Sequence, residues 1–231
     1  MGMPDASLRE GGTEQPRASG PERPRERRTE RRVLVLFAHP AMHQSRVHRA
    51  MLRAARGVAD ITVHELYQAY PDFDIDVAHE QSLLLSHDIV VWQHPFYWYS
   101  TPPLVKQWED VVLEHGWAYG REGKALHGKW WLHAVSAGGR EAAYQPDGHN
   151  RYTINQLLAP LEQTARLCGM QWLPPFVVHG THLLSDEEIS AAAADYARLL
   201  TALRDGQVDA ARAQAVLRLN ADLSLITAEG V

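Results

Sequence analysis

Cysteine is nearly absent from this chain of 231 residues, which contains only Cys168. One cysteine excludes an intramolecular disulfide framework and a zinc site built from several cysteines. Because this composition is typical of a reducing compartment, we expect a cytoplasmic protein. Apolar runs of about 18 residues are absent too, and residues 1–32 lack the apolar stretch of a signal peptide. The sequence therefore favours neither a membrane span nor secretion.

An excess of positive charge is also missing, since 23 basic residues stand against 28 acidic ones and the formal net charge is -5. This balance gives no electrostatic reason to expect nucleic acid as a partner. The charge is unevenly distributed along the chain. Residues 1–32 contain eight arginines and six acidic residues with few apolar side chains, which predicts a disordered, charged arm. The remainder is more acidic than the whole chain.

Apolar runs alternate with amphipathic stretches after the arm. Continuous apolar runs of about six residues are typical of parallel strands that helices cover on both faces. Strands are predicted at 33–38, 61–66, 88–93, 130–135 and within 172–178. Helices are predicted at 45–56, 76–85, 102–115, 153–167 and 185–203. The pattern predicts one doubly wound α/β domain over 33–205, followed by a tail at 206–231 whose alanine content favours helix.

Ligands of such sheets bind at the carboxyl ends of the strands, so the loops there are the first candidates for a site. The first loop leads into a helix whose amino end attracts anions, and Ser45, Arg46 and His48 add a hydroxyl, a guanidinium and an imidazole. A phosphate group fits this arrangement, although the glycine-rich patterns of dinucleotide and nucleoside-triphosphate sites are missing. Taken alone, the loop favours an ordinary helix cap with incidental histidines.

Four consecutive aromatic residues follow the third strand, at Phe96, Tyr97, Trp98 and Tyr99. If side chains alternated here as in a strand, only two of the four would be buried. Packing in the core therefore does not explain all four. Stacking against a flat conjugated ligand is one interpretation, and an aromatic homodimer contact is another; the two are compatible. The loop after the fourth strand, 136–139, contains a double glycine and offers unobstructed backbone amides to a ligand.

These motifs resemble the flavodoxin-like NAD(P)H:quinone oxidoreductases over about residues 32–205. The closest resemblance is to the Kef-type branch, the ancillary subunits of glutathione-gated potassium-efflux systems. The matching segments are 37–40 with Ser45, 66–76, 92–103, 115–120, 168–169 and 172–176. The resemblance implies a flavodoxin-like, doubly wound, five-stranded parallel sheet flanked by helices.

The resemblance also implies a tightly bound flavin in a homodimer. FMN is usual in the Kef-type branch, and FAD, the alternative, in the longer quinone reductases. The positions that hold the phosphate in the family correspond to His39, Ser45, Arg46, Val47 and His48. The positions that line the flavin ring correspond to Phe96, Tyr97, Trp98, Tyr99, Ser136, Ala137, Gly138 and Gly139. Two positions depart from the family pattern, which usually has asparagine for His48 and threonine for Ala137.

Members of the wider family carry a tyrosine and a histidine after the glycine loop, which accommodate charge on the reduced flavin. Tyr144 and His149 lie in that segment and are the catalytic candidates, with a spacing one residue shorter than in the longer enzymes. Other histidines show no spacing typical of metal ligands, so the sequence predicts no metal site. These histidines are His64, His79, His87, His127 and His133.

The function that follows is FMN-dependent transfer of a hydride from NAD(P)H to quinones or related electrophiles. The Kef-type resemblance adds activation of a membrane antiporter, which would bring the protein to the inner face of the cell membrane through that partner. The alternative is a regulatory antiporter subunit whose redox activity is secondary. A one-electron flavodoxin carrier is a third possibility, disfavoured because such carriers are generally shorter and more acidic.

Overall fold

Six short strands form one parallel sheet in the computed structural model, which describes residues 30–227. The strands are β1 (Val33–Phe37), β2 (Ile61–Glu65), β3 (Ile89–Pro95), β4 (Trp130–Ser136), β5 (Gln171–Trp172) and β6 (Phe176–Val178). Their order is β2-β1-β3-β4-β5, and β6 also pairs with β4. β5 and β6 are two pieces of the predicted fifth strand. Pro174 and Pro175 interrupt it because proline cannot donate to the ladder.

Helices cover both faces of this sheet, as the apolar runs predicted. They are α1 (Arg46–Arg56), α2 (Leu66–Ala69), α3 (Val77–Ser86), α4 (Pro103–Val112), α5 (Ile154–Leu157), α6 (Ala159–Leu167), α7 (Asp186–Arg204), α8 (Ala210–Gln214) and α9 (Leu223–Ile226). The helix predicted at 153–167 is divided at Leu158, two residues before Pro160. Within residues 30–227, no helix is both long and apolar enough to cross a membrane.

Residues of β1 illustrate how the sheet separates two apolar layers. Val33 and Val35 pack in the cluster that contains α1 and α7, whereas Leu34 and Leu36 pack in the cluster that contains α3 and α4. All four side chains are fully buried. Burial on both faces is the environment that a continuous apolar strand requires. The predicted doubly wound fold is therefore confirmed.

The structure describes only part of each chain end. Most of the predicted arm, residues 1–29, lies outside the described residues, as do 228–231. The described part of the tail packs against the domain. The Asn220 side chain accepts the N–H of Val177 at 3.0 Å and donates to the Val177 carbonyl at 2.9 Å. The N–H of Leu219 also donates to the Pro175 carbonyl at 2.9 Å. These contacts hold the tail beside β6, next to the loops that follow β4.

Candidate functional site

A cleft of about 560 Å³ opens at the carboxyl ends of β1, β3 and β4. Residues from four loops line it, and three of these loops are the ones that the sequence singled out. The lining residues are His39, Gln44, Ser45, Arg46, Val47, Pro95, Phe96, Tyr97, Trp98, Ser136, Gly138, Thr181 and His182. A parallel sheet brings these loops together because the ends of its strands meet at one edge.

One end of the cleft is the amino terminus of α1. The Ser45 hydroxyl accepts the N–H of His48 at 3.0 Å and so caps the helix. Arg46 stands at the rim, where its guanidinium donates to the Leu184 carbonyl at 3.0 Å and to Asp186 at 2.6 Å. The first N–H groups of a helix lack partners within it, so this end presents N–H donors and a fixed positive charge.

His39 lines the same end of the cleft. Its Nδ1 accepts the N–H of Ala41 at 3.0 Å. Burial lowers the pKa of His39 to about 4, so the ring is neutral at physiological pH. A neutral ring with Nδ1 accepting carries its proton on Nε2. His39 therefore acts as a hydrogen-bond donor rather than as a cation.

His48 does not line the cleft, although the sequence placed its imidazole at the phosphate end. The side chain is fully buried, and burial lowers its pKa well below the ordinary value. Its Nε2 lies 2.8 Å from the Ser136 hydroxyl, and its Nδ1 faces the Gln93 amide nitrogen at 3.4 Å. The reason is helical geometry, because position 48 faces inward with Met51, one turn later.

The opposite wall of the cleft is a tight aromatic turn. Tyr97 and Ser100 exchange both backbone hydrogen bonds, at 3.0 and 2.9 Å. Trp98 and Tyr99 between them have φ values of 48° and 63°, in the left-handed region that turns of this kind usually fill with Asn and Gly. The Trp98 side chain is 93% exposed. Bulky residues at strained positions are typical of functional sites.

The glycine loop forms the floor between these two ends. The N–H of Ala137 donates to the Val178 carbonyl at 2.8 Å, so this amide belongs to the sheet and not to the cleft. The prediction that all of 136–139 offers amides was therefore too broad. A Cβ on Gly138 would lie 3.2 Å from the His182 ring, and one on Gly139 would lie 3.0 Å from the Tyr144 ring. Both glycines permit these rings to approach.

Tyr144 and His149, the catalytic candidates, line a second pocket of about 320 Å³. This pocket shares Phe96, Trp98 and Gly138 with the cleft, so the two are contiguous. Tyr144 is buried, and its ring lies 6.1 Å from that of Phe96, between centroids. Burial raises the pKa of Tyr144, so its phenol, already protonated at neutral pH, stays protonated to higher pH than usual.

Three residues of the loop after β6 were not singled out in the sequence. Thr181 and His182 line the cleft, and the His179 ring lies 5.6 Å from that of Tyr144, between centroids. The only available signal was the position of this loop after the fifth strand. Because the loop contains no glycine pair and no aromatic run, its composition gave no further indication.

Known proteins share this fold and much of this sequence. Residues 31–200 match the model of a family described as having a flavodoxin-like fold. A thermophilic tryptophan halogenase from Streptomycin violaceusniger is 47% identical, with a TM-score of 0.69 over 71% of this chain and 95% of that one. The general stress protein 14 of Treponema denticola, in complex with FMN, is 46% identical, with a TM-score of 0.72 over 74% of this chain and 99% of that one.

A third structure, an NADPH-quinone reductase from P. pentosaceus, is 32% identical, with a TM-score of 0.67 over 73% of this chain and 96% of that one. The family match covers the whole sheet and every loop that lines the cleft. The chain belongs to the flavodoxin-like fold family.

Proposed function

We propose that this protein is an FMN-dependent NAD(P)H oxidoreductase that reduces quinones or related electrophiles by two-electron transfer. The single observation that carries the proposal is the composition of the cleft. A helix amino terminus with Arg46 lies at one end, and Phe96 and Trp98 form the wall at the other. This order matches a ligand with a phosphate at one end and a flat ring at the other.

The residues present fit FMN in size and in donor chemistry. A volume of about 560 Å³ lies within the usual range for small-molecule sites. The N–H groups at the start of α1, Arg46 and the Nε2–H of His39 would hold the phosphate. Ser136, Gly138 and the aromatic turn would hold the ring. The Treponema denticola relative, whose structure contains FMN, supports this choice, and nothing in the cleft favours FAD over it.

Bound FMN would supply the redox chemistry, taking two electrons from NAD(P)H and passing them to the acceptor. The protein's own contribution is orientation and local electrostatics. The aromatic turn would restrict access of water to one face of the ring. The phenol of Tyr144 is protonated at neutral pH, as that of a tyrosine ordinarily is, so its hydroxyl is a donor for negative charge that develops nearby. His149, in the same pocket, adds a second donor.

A homodimer is part of the proposal. The exposed aromatic side chains Trp98, Tyr99 and Tyr152 lie on or near the loops that line the two pockets, and a second copy would cover them. Activation of a potassium-efflux antiporter stays a prediction of the Kef-type resemblance. Co-purification with a cognate transporter and a change in its ion flux are the observations that would support it.

Anaerobic stopped-flow spectroscopy tests the proposed reaction. After mixing with NADPH or NADH, the flavin absorbance should bleach, and a quinone should restore it in one two-electron step. Tyr144→Phe should slow the hydride step while leaving flavin content unchanged. A flavin that reacts only with one-electron reagents would identify a carrier and contradict the proposal.

A further inference from the structure

We propose that His64, His79 and Glu80 form a binding site for one transition-metal ion of the zinc class. His64 lies on β2, and His79 and Glu80 lie in the first turn of α3. The site is separate from the cleft and from the pocket of Tyr144, neither of which these residues line. The inference does not depend on the proposed redox function.

The three side chains converge from two elements. Nε2 of His64 lies 2.7 Å from Oε1 of Glu80, and the rings of His64 and His79 meet edge to face with centroids 5.7 Å apart. One ligand atom from each residue lies within 4.8 Å of the other two. Ligand atoms of a tetrahedral zinc site are about 3.3 Å apart. Metal binding would therefore need His64 Nε2 and Glu80 Oε1 to move apart from their hydrogen-bond distance of 2.7 Å, and the exposed His79 side chain to rotate toward them.

Glu80 supplies the strongest physical reason for a cation. It is fully buried, Tyr70 donates to Oε1 at 2.6 Å, and the Trp108 indole donates to Oε2 at 2.7 Å. With His64, which lies 2.7 Å from Oε1, three donors converge on its two oxygens, and hydrogen bonds that are donated to a carboxylate favour its ionised form. The side chain is therefore an ionised carboxylate inside an apolar cluster.

Buried charges are normally paired or coordinate a metal. Tyr70 and Trp108 are neutral donors, so among these contacts only His64 can offset the charge of Glu80, and only when protonated. A divalent cation bound by His64 and Glu80 would replace the proton between them. Tyr70 and Trp108 would keep their bonds to the carboxylate and orient it, as partners beyond the ligands of a metal site do.

The ligand set determines the class of metal. Two imidazoles and one carboxylate suit zinc, cobalt or nickel, whereas calcium and magnesium prefer oxygen ligands alone. The exposed side of His79 leaves room for water as the fourth ligand. A bound ion would connect β2 to α3, so we expect it to stabilise the fold. The sequence did not reveal the site because a strand residue and helix residues form it, without a recognised spacing.

Cobalt titration of the chelator-treated full-length chain tests the site. We expect one Co²⁺ per chain with the visible bands of a tetrahedral ion, displaced by Zn²⁺. At a hundredfold excess over Kd, Zn²⁺ should raise the Tm by about 5 °C. His79→Ala should weaken binding at least tenfold. His127→Ala, which removes an exposed histidine elsewhere, should leave it unchanged.

Two outcomes would overturn the proposal. Equal Co²⁺ affinity in His79→Ala, His127→Ala and the unaltered chain would place any bound ion elsewhere among the 13 histidines. A failure to bind Co²⁺ or Zn²⁺ at all would remove the site. His64→Gln is the second variant, because glutamine can still donate to Glu80 and so preserves the fold while removing a ligand. Flavin content, measured in parallel, reports on the cleft independently.

Discussion

The imidazole of His48 donates to the hydroxyl of Ser136 beneath the floor of the cleft, across 2.8 Å. The side chain of Gln93 determines which atom donates in this hydrogen bond. Its amide nitrogen faces both Nδ1 and the carbonyl oxygen of His48, and because a carbonyl oxygen can only accept, the amide must donate to both. Nδ1 therefore accepts and Nε2 carries the hydrogen. Since the Ser136 oxygen accepts this bond, its own hydrogen is directed to another acceptor, and Ser136 lines the cleft.

Replacing Ser136 with alanine should therefore weaken FMN binding. Loss of one neutral hydrogen bond costs about 1 to 1.5 kcal/mol, or roughly tenfold in Kd. Quenching of flavin fluorescence on binding measures the effect. Ser190→Ala, an exposed serine on α7, is the matched control. An unchanged Kd in Ser136→Ala would show that the hydroxyl does not face the flavin.

Arg46 should distinguish FMN from riboflavin, which lacks the phosphate. Loss of a charge-assisted hydrogen bond costs about 1.5 to 3 kcal/mol, and the pairing of Arg46 with Asp186 reduces this. We expect Arg46→Ala to raise the Kd for FMN about tenfold and to leave riboflavin binding unchanged. Arg53→Ala, an exposed arginine about two turns along α1, is the control. Equal loss for both ligands would place the phosphate elsewhere.

Residues that relieve the strain in the aromatic turn should make the protein more stable but less active. Asn and Gly accept the left-handed conformation of Trp98 and Tyr99 at little cost. The double variant Trp98→Asn/Tyr99→Gly should therefore raise the free energy of unfolding by about 1 to 2 kcal/mol, measured in urea. The KM for quinone should rise because the aromatic wall is lost. A variant that is both less stable and fully active would contradict this account.

Because two histidines behind the cleft, His94 and His133, are buried, we expect the protein to lose stability in acid. Nδ1 of His94 donates to the Pro95 carbonyl at 2.9 Å, so Nε2 accepts from Nδ1 of His133 at 2.8 Å. Burial lowers the pKa of His94 to about 4 and that of His133 well below its ordinary value. The unfolded chain takes up protons near pH 6.5 and the folded chain does not. Stability is therefore full above that pH and is lost as pH falls toward 4.

For His94 alone, this difference amounts to about 2 kcal/mol between pH 7 and pH 5. Urea denaturation at the two values measures it. His94→Gln removes one titrating group, so the difference between the two free energies of unfolding should shrink by about that amount, whatever the stability at pH 7. His115→Gln offers a control at a histidine in the loop after α4. An unchanged pH dependence in His94→Gln would contradict the buried neutral pair.

Much of the fold could be predicted because its causes are local. The run at Val33 is apolar on both faces and forms β1, and Ser45 caps α1, both as expected. The site was predictable wherever a strand ends in unusual residues. Contacts between distant segments were not, since the partners of the His48 ring are Gln93 and Ser136, which lie 45 and 88 residues away in the chain.

The site also contains side chains that the sequence did not mark. Thr181 and His182 enter the cleft only because β6 ends beside β4, which is a property of the sheet order. His64 and Glu80 meet for a similar reason, since the fold brings His64 on β2 to the first turn of α3. Residue spacing along the chain carries no information on such pairings. The resemblance to known reductases supplied positions for the flavin, but not the partners of those positions.

Titration of the purified chain with FMN tests whether the cleft is a flavin site. We expect saturation at one FMN per chain with quenched fluorescence, followed by loss of flavin absorbance when NAD(P)H is added without oxygen. Arg46→Ala should shift the titration for FMN but not for riboflavin. A chain that leaves flavin fluorescence and absorbance unchanged, with FMN and with FAD, would contradict the account.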